Sequence, residues 1–212
     1  MELIERKIRE LASQYAEQLR AKVDAREAEM ASDDRSHYLI YQVLGITDVE
    51  GERIDLYQNM GRFLYKYAGS FLEEAVILCF QQRFSDAKAK VRIPNTMGQR
   101  PKTFEIDCLV QNEAFEIKWR DATTDGDHIT KEHTRAKVVR TTGYIPIRVM
   151  FYYPNRQQAI RIQDTLKTIY DGLGGKYYSG DSAWHYVKVK TGVDLKEVLT
   201  KIAEDNAKTS SL

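Results

Sequence analysis

Residues 103–120 read TFEIDCLVQNEAFEIKWR, and the pattern of these side chains is the strongest indication of the architecture. Apolar side chains recur at every second position over residues 104–110 and again over residues 115–119. A period of two side chains is typical of β-strands. The polar pair at residues 112–113 is short enough for a tight turn, so the pattern predicts a β-hairpin.

The predicted hairpin gathers charged side chains on one face. Pairing Gln111 with Ala114 would place Asp107 opposite Lys118. Successive side chains point to opposite faces of a strand, so Asp107, Glu116 and Lys118 should lie together, with apolar side chains on the reverse face.

Two carboxylates and a lysine on one surface indicate a metal site. Carboxylate oxygens are hard ligands that suit Mg²⁺, which keeps water and can accept a phosphate oxygen. A metal there would polarise a phosphoryl group, and Lys118 could orient or deprotonate the attacking water or neutralise developing charge. The alternative is a solvated cross-strand ion pair without chemistry.

The rest of the chain predicts helices around a sheet. The expected elements are a helix over residues 1–30, a short helix reaching residue 44, a helical stretch from 47 to about 84 interrupted at Gly51 and Gly61, strands at 87–93 and 144–153, and helices at 125–142, 155–170 and 193–206. Residues 176–190 are ambiguous. This order predicts an α/β fold with a mixed central β-sheet flanked by helices. A helical N-terminal region over residues 1–60, for packing or dimerisation, should precede a single-domain core over 61–212.

Composition excludes several classes of protein. With 212 residues, 42% hydrophobic and 30% charged, the chain should form an ordinary globular core without disulfides. Its longest apolar run, residues 75–80, is too short to span a membrane, and its charged N-terminus resembles no signal segment, so we expect a cytoplasmic protein. Cys79 and Cys108 should be reduced core thiols.

The net charge of +1 conceals an uneven distribution. Residues 1–60 carry 8 basic and 13 acidic groups, a net charge of −5. Residues 83–102 carry six basic groups and one acidic group, and residues 128–161 carry seven and one. These two basic stretches flank the hairpin, as expected of a site that binds nucleic acid phosphates.

The motifs resemble those of a known superfamily. EIDC at residues 105–108 and FEIK at residues 115–118 resemble the signature of the PD-(D/E)xK nucleases, although Ile106 stands where that signature often has proline. GSFLEE at residues 69–74 resembles the glutamate-bearing helix of such sites. EIKWRDATTDGDH at residues 116–128 is similar to type II restriction endonucleases of the ApaLI-like kind.

The resemblance implies a function and roles for individual residues. Asp107 and Glu116 would hold Mg²⁺, Lys118 would assist the attacking water, and Glu73, with Glu74 as the alternative, would complete the site. The implied reaction is site-specific hydrolysis of double-stranded DNA that leaves 5′-phosphate ends. A homodimer and a DNA methyltransferase acting on the same sequence are the implied partners.

Polar side chains around the hairpin are candidates for DNA contacts, through phosphates or base edges. They are Lys88, Lys90, Arg92, Arg100, Lys102, Arg120, Asp127, His128, Lys131 and Arg135. For each basic residue the alternative is a solvated surface cation without a DNA contact. Two rival functions remain: a repair or junction-resolving nuclease of the same superfamily, and a non-catalytic DNA-binding or scaffold protein.

Overall fold

The structure is a computed structural model that describes residues 2–98, 100–120 and 127–210, without the side chains of 127, 128, 209 and 210. Its elements are α1 (Glu2–Ala31), α2 (Tyr38–Val43), α3 (Asp48–Arg83), β1 (Lys88–Pro94), β2 (Thr103–Val110), β3 (Glu113–Arg120), α4 (Asp127–Thr141), β4 (Ile145–Tyr152), α5 (Gln157–Gly172), β5 (Lys176–Ser179), α6 (Asp181–Thr191) and α7 (Leu195–Ser210).

The described strands form one mixed sheet in the order β1-β2-β3-β4-β5. The β1–β2 and β2–β3 pairs are antiparallel, whereas β4 is parallel to both β3 and β5. Helices flank this sheet, so the predicted α/β class with a mixed central sheet and a helical N-terminal region is confirmed. The ambiguous residues 176–190 supply the fifth strand and most of α6.

The hairpin register differs by two residues from the predicted one. Cys108 lies opposite Phe115, so the expected partnership of Asp107 with Lys118 is wrong. Because side chains alternate faces with a period of two, a shift of two residues leaves each side chain on its predicted face.

The position of the turn explains the shift. The turn is formed by Gln111 and Asn112 rather than by residues 112–113. Gln111 has a positive φ of 53°, as two-residue hairpin turns require, and its N–H donates to Asp86 Oδ2 at 3.0 Å. An acceptor 25 positions away in sequence thus helps to fix the register.

Aromatic packing holds α3 and α6 against one face of the sheet. The ring of Phe115 on β3 is 4.5 Å from that of Phe80 on α3 and 6.3 Å from that of Tyr186 on α6. Phe80 and Phe115 are fully buried, and burial of each ring contributes roughly 1.5–3 kcal/mol to stability.

Helix α4 covers the opposite face. Val138 of α4 belongs to a buried apolar cluster with Leu109 of β2 and Ala114 of β3. Leu109 and Ala114 share their face with Asp107 and Glu116 by strand alternation. The charged face of the hairpin is therefore beneath a helix, not on an open surface.

Helix α3 runs without interruption from Asp48 to Arg83, so the breaks predicted at Gly51 and Gly61 are wrong. Glycine inside a helix costs only roughly 1 kcal/mol relative to alanine, which packing can offset. At Gly51 a Cβ atom would lie 2.7 Å from Cδ2 of Tyr41, so the missing side chain permits close packing against that ring.

The chain divides into two compact units. One comprises residues 1–9 and 72–212, and the other comprises residues 10–71. The first contains the sheet and the second contains most of α1, α2 and most of α3. The role of residues 1–60 in packing or dimerisation stays a prediction.

Within the described residues, no helix is both long and apolar enough to cross a membrane. Cys79 and Cys108 are buried and form no disulfide, as predicted. Burial raises the pKa of each thiol to about 12, so both are protonated at neutral pH.

Candidate active site

Two carboxylates and one lysine meet beneath α4. Lys118 Nζ lies 2.5 Å from Glu116 Oε1 and 3.7 Å from Asp107 Oδ2. Asp107 and Glu116 are 7% and 4% exposed, whereas the Lys118 side chain is 33% exposed. Asp107 Oδ2 also accepts a 2.8 Å hydrogen bond from the backbone N–H of Ile117. The three side chains expected to share a face are together, and the lysine is the most accessible to solvent.

Glu116 lies at the end of a buried chain of alternating charges. Its Oε2 is ion-paired with Nη1 of Arg135 on α4, and the same nitrogen lies 3.7 Å from Glu132 Oε2. Glu132 Oε1 in turn accepts a 2.7 Å hydrogen bond from Tyr170 Oη and lies 3.2 Å from Arg148 Nη1. Arg148 is level with Glu116 on the parallel strand β4. Four side chains from three elements therefore fix the position of this carboxylate.

Burial has opposite outcomes for the two carboxyl groups. Desolvation and the charge of Glu116 raise the pKa of Asp107 from 3.8 to about 6, against the opposing effect of Lys118. Desolvation alone would also raise the pKa of Glu116, but Lys118, Arg135 and Arg148 outweigh it and lower that pKa. Asp107 is thus the carboxylate with incomplete charge compensation.

Lys118 is held in its charged form by the same pair. Burial by itself would lower the pKa of Lys118, but Glu116 and Asp107 outweigh burial and raise that pKa. A protonated ammonium has three donors and no acceptor. In this arrangement Lys118 is suited to donating hydrogen bonds and supplying positive charge.

A second lysine approaches Asp107 from β1. Lys90 Nζ is ion-paired with Glu73 of α3 and lies 3.9 Å from Asp107 Oδ1 and 3.6 Å from Glu105 Oε1. Lys90 has a positive φ of 54°, which is uncommon for a residue other than glycine. Of the two candidate glutamates on α3, Glu73 is thus linked to the site through Lys90, whereas Glu74 is an exposed residue.

The donor set suits a cation that needs few protein ligands. Across the parts of the chain that are described, no three histidine, cysteine, aspartate or glutamate side chains group closely enough to hold a metal ion. Mg²⁺ is commonly held by one or two carboxylates, with water and substrate phosphates completing its coordination. Within the described part of the chain, the buried Glu116 Oε1 contacts Lys118 but accepts no hydrogen bond of good geometry, so it has capacity for a metal ligand bond. Asp107 and Glu116 therefore fit Mg²⁺.

Most candidate DNA contacts lie on the surface. The exposed ones are Lys88, Lys90, Arg92, Arg100, Lys102, Arg120 and Lys131. Arg135 is partly buried and ion-paired with Glu116 and Glu132. Asp127 and His128 begin α4, but their side chains lie outside the described part of the structure. DNA contact by any of these residues stays a prediction.

Sequence reasoning missed the roles of Glu132, Arg148 and Tyr170. Arg148 contributed to the basic stretch 128–161, yet it is 2% exposed and pairs with Glu132. One signal was present: Arg148 is the only charged residue in the apolar strand IPIRVMFY, and a buried charge requires a partner. The identity of that partner depends on how α4 and α5 pack, which periodicity does not give.

Comparison with known proteins identifies one family. The model of the ApaLI-like restriction endonucleases matches residues 1–204 of the 212 residues. Neither the curated proteins nor the solved structures include a match to this chain.

Proposed function

The chain belongs to the family of ApaLI-like restriction endonucleases, and from this premise we propose that it is a Mg²⁺-dependent type II enzyme of the PD-(D/E)xK kind. It would cut double-stranded DNA at a specific sequence and leave 5′-phosphate and 3′-hydroxyl ends. The observation that carries the proposal is the buried Asp107–Glu116 pair with Lys118 Nζ in contact with both carboxylates.

Each side chain has a distinct role in the proposed reaction. Asp107 and Glu116 would hold Mg²⁺, which would supply Lewis-acid polarisation of the scissile phosphate and acidify the attacking water. Attack at phosphorus forms the bond to the water oxygen and breaks the bond to the 3′ oxygen, which leaves as a hydroxyl after protonation. Lys118, kept charged by the carboxylates, would donate hydrogen bonds to the phosphate and stabilise its added negative charge.

The residues around Glu116 would keep that ligand ionised and oriented. Lys118, Arg135 and Arg148 lower its pKa, and Glu132 pairs with both arginines through its two oxygens. Groups that orient a metal ligand in this way commonly contribute about 10- to 100-fold to metal affinity or activity. Glu73 would act at longer range, through Lys90.

DNA would lie across the exposed cations that flank the hairpin. Lys88 and Arg92 are exposed on β1, and Lys131 is exposed on α4. Lysine and arginine that neutralise phosphates supply most of the non-specific affinity of DNA-binding proteins. Sequence recognition would fall to residues 120–135, which include Asp127 and His128.

The proposal includes two copies on a palindromic duplex, each cutting one strand. Apolar side chains of α2 and its C-cap support this, since Leu39, Ile40, Val43 and Leu44 are 59% to 74% exposed. Contiguous exposed apolar residues commonly mark an association surface. A methyltransferase that modifies the same sequence would protect host DNA, and we place both proteins in the cytoplasm.

Digestion of plasmid and phage DNA with either Mg²⁺ or EDTA tests the function. The expected result is a discrete set of fragments with Mg²⁺ and none with EDTA, and sequencing the fragment ends then gives the recognition sequence and cut position. Cutting confined to branched DNA would replace the proposal by a junction-resolving nuclease. Binding without cutting under either condition would replace it by a non-catalytic DNA-binding protein.

A further inference from the structure

A cavity of about 280 Å³ opens next to the hairpin, at the carboxyl ends of β3 and β4. Its lining includes Trp119 and Arg120 at the end of β3, Tyr152 at the end of β4, and Tyr153, Asn155 and Arg156 in the segment that follows. The cavity belongs to the unit that contains the sheet. None of these side chains has a role in the proposed hydrolysis.

Aromatic rings form one wall of the cavity. The Tyr152 ring lies 6.4 Å from the Trp119 ring and 5.9 Å from the Trp184 ring, both in edge-to-face geometry. These neighbours hold Tyr152 in place, although it remains 54% exposed. Tyr153 is also oriented, because its hydroxyl donates to Asp164 Oδ1 at 2.9 Å. An exposed ring that is held by its neighbours is a suitable surface for stacking a nucleobase.

The charge of the cavity suits a phosphate-bearing ligand. Arg120 and Arg156 are exposed and place two guanidinium groups in its lining. The guanidinium of Arg120 lies 5.6 Å from the Trp119 ring centroid. Asn155 adds an amide, which can donate to and accept from a base edge. The lining thus combines a stacking surface, phosphate-binding groups and one group capable of base recognition.

The cavity is close to the proposed site of chemistry. Lys118 is level with Met150, and Arg120 is level with Tyr152, in the parallel pairing of β3 with β4. Two residues of a strand span roughly 7 Å, so Arg120 and Tyr152 are about that far along the sheet from the Lys118 level. A nucleotide adjacent to the scissile phosphate could therefore reach the cavity.

We propose that this cavity binds one nucleobase of the DNA substrate, rotated out of the duplex stack, against Tyr152, while Arg120 and Arg156 contact the neighbouring phosphates. The inference rests on the proposed nuclease function and adds a base-binding subsite to it. Removing a base from the stack has a free-energy cost that depends on its base pair, so such a subsite contributes to sequence selectivity.

A double-mutant cycle of binding affinities, in which one change is in the protein and the other in the DNA, tests the subsite in EDTA without relying on cleavage. Its probes are duplexes that carry the recognition sequence, either intact or with a single abasic nucleotide at each of two positions on either side of the cut. The affinity of wild-type protein and of Tyr152→Ala is measured by fluorescence anisotropy for every duplex. Loss of stacking on one base should weaken binding of the intact duplex by about 5- to 150-fold.

The coupling between the ring and the base is decisive, because a merely structural effect of Tyr152→Ala would weaken all duplexes alike. We expect one abasic position at which Tyr152→Ala weakens binding less than twofold. Tyr152→Phe should keep the coupling, and Tyr57→Ala, at an exposed tyrosine of α3, should have no effect. Equal losses at every abasic position would overturn the subsite, even in a protein that cuts DNA normally. Absence of cutting by the wild-type protein would instead overturn the proposed function.

Arg156→Ala separates phosphate binding from base binding. It should weaken intact and abasic duplexes equally and reduce the slope of log K against log salt by about 1. Both tryptophans of the chain contact Tyr152, so DNA binding at the subsite should also quench intrinsic fluorescence. An unchanged salt slope in Arg156→Ala would contradict the assigned phosphate contact.

Discussion

The surroundings of Asp107 and of Glu116 differ, although the two carboxylates lie in one site. Glu116 is surrounded by Lys118, Arg135 and Arg148, and its pKa is lowered. Asp107 has Lys118 at 3.7 Å and Lys90 at 3.9 Å, and its pKa is raised to about 6. Similar burial thus gives opposite results: desolvation and the charge of Glu116 dominate at Asp107, whereas three cations outweigh desolvation at Glu116.

From this difference we expect separate roles for the two carboxylates in metal binding. Glu116 is ionised before any ligand arrives, and its position is fixed by α4 and β4. Asp107 lacks full compensation, so an added cation lowers its free energy more. We therefore expect a bound metal ion to stabilise the ionised form of Asp107 strongly. We expect it to change the ionisation of Glu116 little, because that carboxylate is already stabilised by three cations.

Lys118 contacts both carboxylates, so we expect its substitution to have the largest effect on activity. A positioned group that stabilises transition-state charge contributes about 100- to 1,000-fold to turnover. We expect Lys118→Ala to lower kcat for DNA cleavage by at least about a hundredfold, measured on variant protein that thermal melting shows to be folded. Lys167→Ala, at an exposed lysine of α5, is the matched control and should cut normally.

Glu132→Gln should show how far the ordering of Glu116 depends on its neighbours. Arg135 and Arg148 would lose their shared carboxylate, and breaking a buried ion pair destabilises by about 3–5 kcal/mol. Urea unfolding measures this change, and cleavage should fall by about 10- to 100-fold at temperatures where the variant is folded. Asp171→Asn, in an exposed pair with Lys167, should change stability by less than about 0.5 kcal/mol. An equally small change in the stability of Glu132→Gln would contradict the proposed role of Glu132 in holding Arg135 and Arg148.

The two carboxylates should give opposite contributions to the pH dependence of stability. The raised pKa of Asp107 means that the folded state gains a proton, and hence stability, as pH falls through about 6, a gain complete below the unfolded value of about 3.8. The lowered pKa of Glu116 means that its ionised form contributes to the stability of the folded state above about pH 4.5, and that this contribution is lost as the pH falls towards 2.

Unfolding measured from pH 8 to pH 3 therefore separates the two groups. The free energy of unfolding of Asp107→Asn, relative to that of the wild-type protein, should be higher at pH 8 than at pH 4 by up to about 3 kcal/mol. Glu116→Gln should be more destabilising at pH 7 than at pH 3. The same sign for both variants would contradict the contrast between the two carboxylates.

Glu73→Gln and Glu74→Gln should give the smallest effects and decide between the two glutamates of α3. Glu73 acts through Lys90, so we expect its loss to lower cleavage by less than about tenfold, the lower end of effects from groups outside the metal ligands. Glu74 is exposed, and its variant should cut at the wild-type rate. A larger loss in Glu74→Gln would reverse the assignment.

Much of the candidate site follows from local sequence. Alternation in β2 and β3 is enough to place Asp107, Glu116 and Lys118 on one face, and this prediction survives a register error of two residues because faces repeat with the same period. The predicted fold class and family are also confirmed. The fold class depends on the order of consecutive elements and the family on short motifs, and both can be read from local sequence.

The surroundings of the carboxylates do not follow from local sequence. Arg148 and Glu132 are 16 positions apart, and Tyr170 is 38 positions from Glu132, so only the packing of α4 and α5 brings them together. By charge alone, Arg148 is therefore indistinguishable from the other cations of the basic stretch 128–161. Charge counted along the chain does not distinguish a buried ion pair from an exposed cation.

Cleavage by Asp107→Asn tests whether Asp107 is a ligand of the catalytic metal ion. The substitution keeps the shape of the side chain and removes the charge that Mg²⁺ needs. Phage DNA is incubated in Mg²⁺ with wild-type protein and with the variant, after thermal melting has shown that both are folded. We predict discrete fragments from the wild-type protein. We predict none from the variant, even when the variant is present at a concentration about a hundredfold higher than the wild-type protein. The same fragments at the wild-type rate from Asp107→Asn would contradict the assignment of the metal site.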